Sequence, residues 1–579
     1  MDARSRRIAA LAALSVVPFA TLAPFGCAPG KDGDVLTTRD SGGTPHDSGV
    51  SPLSDATLPE VKGFDVGDPD IGALLSDPKT CAEAAAYKSY IGCDYWPTVT
   101  SNVVWSIFDY AVVVANAGEG DAEVTVTGPG GVNKKVTVSP NSLQKIYLPW
   151  VAELKGAEPG TGTADNCPNI PRPADQPSVR VVGGAYHLVS SRPVTVYQFN
   201  ALEYAPKGGP VGKDWSECPG NKYCVSALGP AGCFSYSNDA SLLLPSTAMT
   251  GNYRVTGVHS FSNGSFGRIN GAFMTVTATQ DETTIDMKLG PKTKVLKGGV
   301  FPDLEPNTKF TFTLEKAGDV VQIFSPADGD IDPSGTLFAA DKPIQVIAGE
   351  PCIFNPVDKQ ACDHIEQSVF PAETLGKHYV VTTPTGPNGK PVPHIVRIYG
   401  NIDGTRLTYA GKTPAGAPTT LMAGETYDIE MIADDFDVTG DQPFAVSSFS
   451  LAGTLVDPDS KDEDKKGDPS LSLIVAVEQF RQKYVFLAPD DYDVSFAVVV
   501  AEKEVTLTLD GAPVTVSPTA LPGSLYVVHR IPLGPGSGGA HVLKSTKPVG
   551  LQVMGYGRYT SYQYPGGLDL KPIAPPPPR

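Results

Sequence analysis

From about residue 88 onward, apolar residues recur at every second position in short bursts, and amphipathic runs at helical spacing are nearly absent. That period marks half-buried β-strands. One burst has a fixed preface, a polar pair and a proline, at Pro193 (SSRPVTVYQFN), Pro343 (ADKPIQVIAGEPC), Pro443 (GDQPFAVSSFS) and Pro548 (STKPVGLQVMGY). Proline is tolerated at the first residue of a strand because its missing N–H falls outside the main ladder. A second element recurs around a tyrosine, at Tyr253 (NYRVTG), Tyr379 (HYVVTTP) and Tyr484 (KYVFLAP), with a weaker copy at Tyr95 (CDYWPT). Between the two elements lie hairpin signals such as DYAVVVANAGEGDAEVTVTGPGG and HIVRIYGNIDGTRLTYAGK, followed by a further strand such as ETYDIEMI. Valine and threonine at period two around glycine- and Asn/Asp-rich turns are how strand pairs are written.

The same order of elements occurs four times, so the chain reads as a tandem repeat. The expected segments are a signal peptide (1–26), a disordered tether (27–80), β repeat 1 (81–200), a cysteine-rich insertion (201–238), β repeat 2 (239–350), β repeat 3 with a cysteine loop (351–450), an acidic loop (451–467), β repeat 4 (468–560) and a proline-rich tail (561–579). The fold class is all-β. Units of this length are read as antiparallel, Ig-like β-sandwiches, with a β-propeller-like ring as the alternative, since four-stranded blades usually need only about 40–50 residues.

Composition narrows the partners. Sixty glycines and 54 prolines supply frequent turns, and a hydrophobic fraction of 41% is enough to bury cores. A net charge of −18 argues against nucleic acid, which needs a basic surface to release counterions. At the N-terminus, MDARSRR precedes IAALAALSVVPFATLAPFG, an apolar run broken by prolines that reads as an export signal rather than a spanning helix. Gly26-Cys27 at its end resembles a lipobox, although Pro24 and Phe25 depart from the usual pattern, so Cys27 is the expected lipidation site. The Ser/Asp/Gly/Pro segment that follows buries too little to fold and reads as a tether. The expected location is the cell envelope, as an outer-membrane lipoprotein facing the surface, or otherwise secretion.

With Cys27 set aside, eight of the nine cysteines remain: Cys81, Cys93, Cys167, Cys218, Cys224, Cys233, Cys352 and Cys362. An even number in an exported chain fits disulfides. Cys352 with Cys362 and Cys81 with Cys93 each flank one short loop and are the expected pairs; the pairing of the other four stays open.

No sequence motif points to catalysis: GxSxG, HExxH, a P-loop and a GxGxxG after a strand are all missing. His187 and His541 fall near the same repeat position, and His364, His378 and His394 fit strand or surface roles. The run DGDIDPSG puts Asp328, Asp330 and Asp332 at alternate positions, a weak calcium candidate because Pro333 stands where a calcium loop needs glycine and Ala339 where it needs glutamate. The expectation is no metal and no cofactor. The loop from Asp457 to Asp468 reads as a solvated connection, its lysines interleaved with carboxylates.

The stretch DKPIQVIAGEPCIFNPVDKQACDHIEQSVFPAETLGKHYVVTT, with Pro343, Gln345, Val346, Gly349, Cys352, Cys362, His364, Pro371, Gly376, His378 and Tyr379, resembles the N-terminal region of the IgG Fc-binding protein family. DPSLSLIVAVEQFRQKYVF and TKPVGLQVMGYG resemble further blocks of the same region. In that family the region precedes cysteine-rich von Willebrand D modules and is associated with immunoglobulin and mucus interaction. The sequence here has too few cysteines for such modules, so immunoglobulin is not carried over. What the resemblance implies is a non-enzymatic surface lipoprotein whose tandem β units serve adhesion or bind a protein or glycan, held to the membrane by its N-terminal lipid. The alternatives are a secreted hydrolase with a composite carboxylate or metal site, and a structural envelope protein.

Overall fold

The computed structural model describes residues 77–159 and 176–579, except 224, 227–228, 231, 236, 264–266, 360–361, 490, 535–538 and 579. The expectations for Cys27, the signal and most of the tether, and for Cys167 and Cys224, lie outside these residues. All of the described residues belong to one compact unit, Asp68–Arg579.

Each repeat is a sandwich of two antiparallel sheets. In the third, one sheet runs His378–Val381, Phe436–Gly440, Thr405–Tyr409, Thr420–Leu421, and the other runs Thr426–Ile432, His394–Gly400, Phe444–Phe449, Leu471–Leu473. Tyr379, Val396, Ile398, Leu407, Ile429, Val438 and Val446 are in the core between them. The two kinds of sheet read differently along the chain. Outer strands meet water on one face, so Ala122–Gly128, Thr283–Lys288 and Lys309–Leu314 largely alternate between covered and exposed residues. Inner strands are covered on both faces, and every residue of Tyr110–Asn116, Phe273–Ala278 and Ile344–Ile353 is buried.

The recurring proline marks where the chain passes from the outer sheet to the inner one. His187–Phe199 pairs through Leu188–Ser190 with Ala122–Gly128, and beyond Pro193 with Tyr110–Asn116. Ala540–Gly557 makes the same passage at Pro548. In the second and third repeats the path is two strands, Leu337–Ala340 then Ile344–Ile353, and Phe436–Gly440 then Phe444–Phe449. The recurring tyrosine fastens this corner. Its hydroxyl donates to the carbonyl of the residue after the proline in all four repeats: Tyr95 to Val194 at 2.7 Å, Tyr253 to Ile344 at 2.7 Å, Tyr379 to Phe444 at 2.6 Å and Tyr484 to Val549 at 2.5 Å.

The fourth strand of each inner sheet comes from the chain after the proline strand. Ala240–Leu242, Asp363–Ser368, Leu471–Leu473 and Thr560–Pro565 complete sandwiches one to four in turn. These four strands also touch one another in a closed cycle, each packed against two of the others. The architecture is therefore a ring of four sandwiches, which joins the sandwich reading to its propeller-like alternative. Asp239 stitches the hub, its Oδ2 accepting from the backbone N–H of Glu366 at 3.2 Å and of Leu471 at 3.1 Å. Glu366 is held there by Thr100, Gln198 and Asn200. The ring closes where its first and last segments meet: the Tyr90 N–H donates to the Leu568 carbonyl at 3.1 Å and the Leu570 N–H to the Lys88 carbonyl at 2.9 Å.

Three details differ from the sequence reading. Thr560–Pro565 is a strand at the start of the stretch read as a tail. Val179–Val181, from the first repeat, pairs as an edge strand with Val320–Phe324 of the second. The acidic loop is tied down where solvation was expected: Lys465 is 6% exposed and its Nζ donates to the carbonyls of Asp457, Pro458 and Ser460. An ammonium buried in that way needs its donors satisfied, and the loop's own backbone does so.

Candidate functional site: two clefts beside the third sandwich

Three disulfides are formed among the described residues: Cys81–Cys93, Cys218–Cys233 and Cys352–Cys362. The first fastens the short helix Cys81–Tyr87 to the strand Gly92–Tyr95. The second closes part of the insertion. The third closes a loop at the end of Ile344–Ile353, and that loop leans on the third sandwich, Asn355 Nδ2 donating to the Ser450 carbonyl at 2.8 Å.

The cysteine loop is one wall of a cleft of about 310 Å³ between the second and third sandwiches. Val258, Ile353, Val357, Ile365, Ile395 and Phe449 give it an apolar lining. Arg397 lies at its base, bidentate to Asp428 at 2.7 and 2.8 Å and bound to Asp332 Oδ2 at 2.7 Å. Asp332 is thereby accounted for: burial would push its carboxyl up, but the Arg397 guanidinium and the Ser334 contacts hold it below the usual range. Asp328 and Asp330 are exposed, the Asp328 side chain capping the Asp330 N–H. No group of three or more His, Cys, Asp or Glu side chains among the described residues converges as a metal site.

A larger cleft, about 620 Å³, opens between the third and fourth sandwiches. Arg530 Nη2 bridges both oxygens of Asp435, at 2.7 and 2.9 Å, and Thr383 Oγ1 at 2.8 Å. Nearby, Ser524 of the fourth sandwich donates to Asp437 Oδ2 at 2.5 Å while His378 meets Oδ1 at 2.7 Å. That contact to Asp437 raises the His378 pKa, against partial burial. At the same junction Gly411 and Gly523, at φ 70° and 76°, bring two backbones into contact; a Cβ on Gly523 would stand 2.6 Å from the Gly411 nitrogen, so no other residue fits.

One short segment borders both clefts. Glu430 and Met431 line each of them. They sit in a β-bulge: His394 pairs with Ile432 and Val396 with Ile429, so one strand spends an extra residue over the same span. Met431 takes up the extra residue at φ 51° and leaves its side chain 44% exposed. A bulky residue at positive φ is a strained conformation that clusters at functional sites. Sequence reading did not single out Glu430, Met431, Arg397 or Arg530. The available signal was the apolar doublet Met431-Ile432, which breaks the alternation of ETYDIEMI.

The buried acid–base pairs do not reach either cleft as catalysts. Ser448 Oγ and His394 Nδ1 are 2.7 Å apart, a nucleophile–base spacing, yet the residues are 3% and 0% exposed. Burial drops the His394 pKa to about 3, leaving it neutral. His364 and Glu366 are both fully buried. Among the cleft carboxylates, Asp435 and Asp437 are engaged by Arg530, His378 and Ser524, and Glu430 and Asp434 lie on the open surface.

A family model described as IgGFc binding protein matches residues 239–555, more than half of the 579 residues. The chain belongs to the IgGFc binding protein family. In this family member the matched span takes in sandwiches two and three, most of the fourth, and both clefts, and it includes the cysteine-loop block on which the sequence resemblance rested. The family is described by binding rather than by a reaction. Comparison with curated proteins gave no match. Among solved structures, a tetra-tandem repeat from the extending region of a large adhesion protein aligns at 12% identity over 83% of this chain and 100% of that one, with a TM-score of 0.07, too low to carry any argument. The disulfides fit a secreted or surface protein, and no described helix is long and apolar enough to cross a membrane.

Proposed function

We propose that this protein is a non-catalytic surface binding module. Lipidated Cys27 anchors it in the outer membrane, the Ser/Asp/Gly/Pro segment after it is the tether, and the ring presents the third sandwich to a protein partner in adhesion. The observation that carries this reading is the pair of solvent-open clefts sharing one strained bulge. A ring suits the task because binding sites on rigid scaffolds lose less entropy on association.

The test has two parts. Intact mass of protein from its native envelope should show an acylated Cys27, and Cys27→Ser should release the chain from the membrane fraction. Cells lacking the protein should adhere less to host cells or matrix than cells carrying it. Unchanged adhesion in the deletion would remove the binding reading, whereas an unmodified Cys27 would remove only the anchor.

A further inference from the structure

Resting on that reading, we infer that the clefts beside the third sandwich accept an extended segment of a partner protein that carries one cationic side chain and one large apolar side chain. The charge distribution assigns the cationic anchor to the larger cleft. Glu430 and Asp434 both line it, both are exposed, and neither carboxylate makes an ion pair or side-chain hydrogen bond among the described residues. The other charges there are Lys412, on the same wall, and Arg530 with Asp435 and Asp437, whose contacts are already made. Two unpaired carboxylates against one lysine favour a lysine or arginine side chain from outside.

The smaller cleft assigns the apolar anchor. Its lining of Val258, Ile353, Ile365, Ile395 and Phe449 is aliphatic and aromatic, and the guanidinium beneath is neutralised by Asp332 and Asp428. Burying a large apolar side chain there gains roughly 2 kcal/mol. Val357 on the rim and Met431 on the ridge are 45% and 44% exposed, two of the few large apolar side chains open to water. Methionine is unbranched and adapts to differing partner shapes. Because Met431 stands between the clefts, a segment crossing it reaches both. An extended backbone sends successive side chains to opposite faces, so the two anchors fall at an even spacing in the partner.

A random peptide library displayed on phage, selected against the full mature chain in detergent, tests this. Enriched peptides should pair lysine or arginine with a large apolar residue. Fluorescein-labelled copies of them should bind the wild type, lose affinity as salt is added, and bind Glu430→Lys/Asp434→Lys roughly tenfold more weakly. Asp330→Lys, a charge reversal on the exposed surface of the second sandwich, should leave binding unchanged. Circular dichroism of each variant keeps misfolding apart from lost contacts. Enrichment of acidic peptides, no enrichment, or indifference to the double reversal overturns the inference. If adhesion still depends on the protein in that case, the binding function stands and this face is not where it happens.

Discussion

At the residue level, the four tyrosines carry the clearest structural duty. Each hydroxyl is buried, donates across the corner where the chain changes sheets, and joins two recurring elements that lie 65 to 99 residues apart in sequence. Tyr379→Phe keeps the ring and strands the Phe444 carbonyl, so it should cost about 1–2 kcal/mol in urea unfolding; a cost near zero would show that the corner does not depend on the bond. Two other side chains illustrate the repeat differently. Asp94 and His187 pair in the first sandwich and His378 and Asp437 in the third, the acid and the base exchanging strands while the contact stays at 2.7 Å. Glu203 sets a pH dependence. It is fully buried, and burial, aided by nearby Asp109, raises its pKa to about 7. A carboxyl raised in the folded state binds its proton more tightly there than unfolded, where the pKa is about 4.3, so stability falls as pH rises from about 4.3 to 7. Glu203→Gln should therefore gain stability over the wild type at pH 8 and not at pH 4, read from thermal unfolding; an equal change at both pH values would refute the assignment.

Among the elements, the strand Thr426–Ile432 concentrates the functional argument. Its bulge holds Met431 at positive φ, where glycine is free of strain. Met431→Gly should thus raise stability by about 1 kcal/mol while weakening partner binding. Loss of stability would mean that the side chain is a packing residue, and unchanged binding would move the site elsewhere. The elements themselves were largely legible. Outer strands alternate and inner strands are solidly apolar, because solvent touches only the outer sheet, and period two survives in the first and fades in the second. The proline strand and the tyrosine strand could each be found from their own residues. The bulge left only the Met431-Ile432 doublet, since one extra residue changes a register that only the partner strand defines. The clefts left no trace, because their walls come from different repeats.

For the whole molecule, closure is the decisive feature. The first and last segments of the ring are hydrogen-bonded to each other, and Gly567 lies so close to Tyr90 that a Cβ would stand 2.4 Å from its ring. Gly567→Val should wedge that seam, lowering stability by about 1–3 kcal/mol and raising hydrogen exchange at residues 88–91 and 566–570 together; exchange confined to the substituted loop would show that the seam does not close the ring. By itself the sequence determined the all-β class, the fourfold repeat, the cysteine-loop block and the family, since strand period, turn residues and local cysteine spacing are properties of short stretches. Tertiary structure alone decided that the repeats form a ring, that each proline is a corner latched by a tyrosine, that Asp332 serves Arg397, and that the bulge of one sandwich borders two clefts. Those outcomes depend on contacts between residues far apart in the chain, and the free energy of such contacts is set by shape and burial that no local pattern encodes.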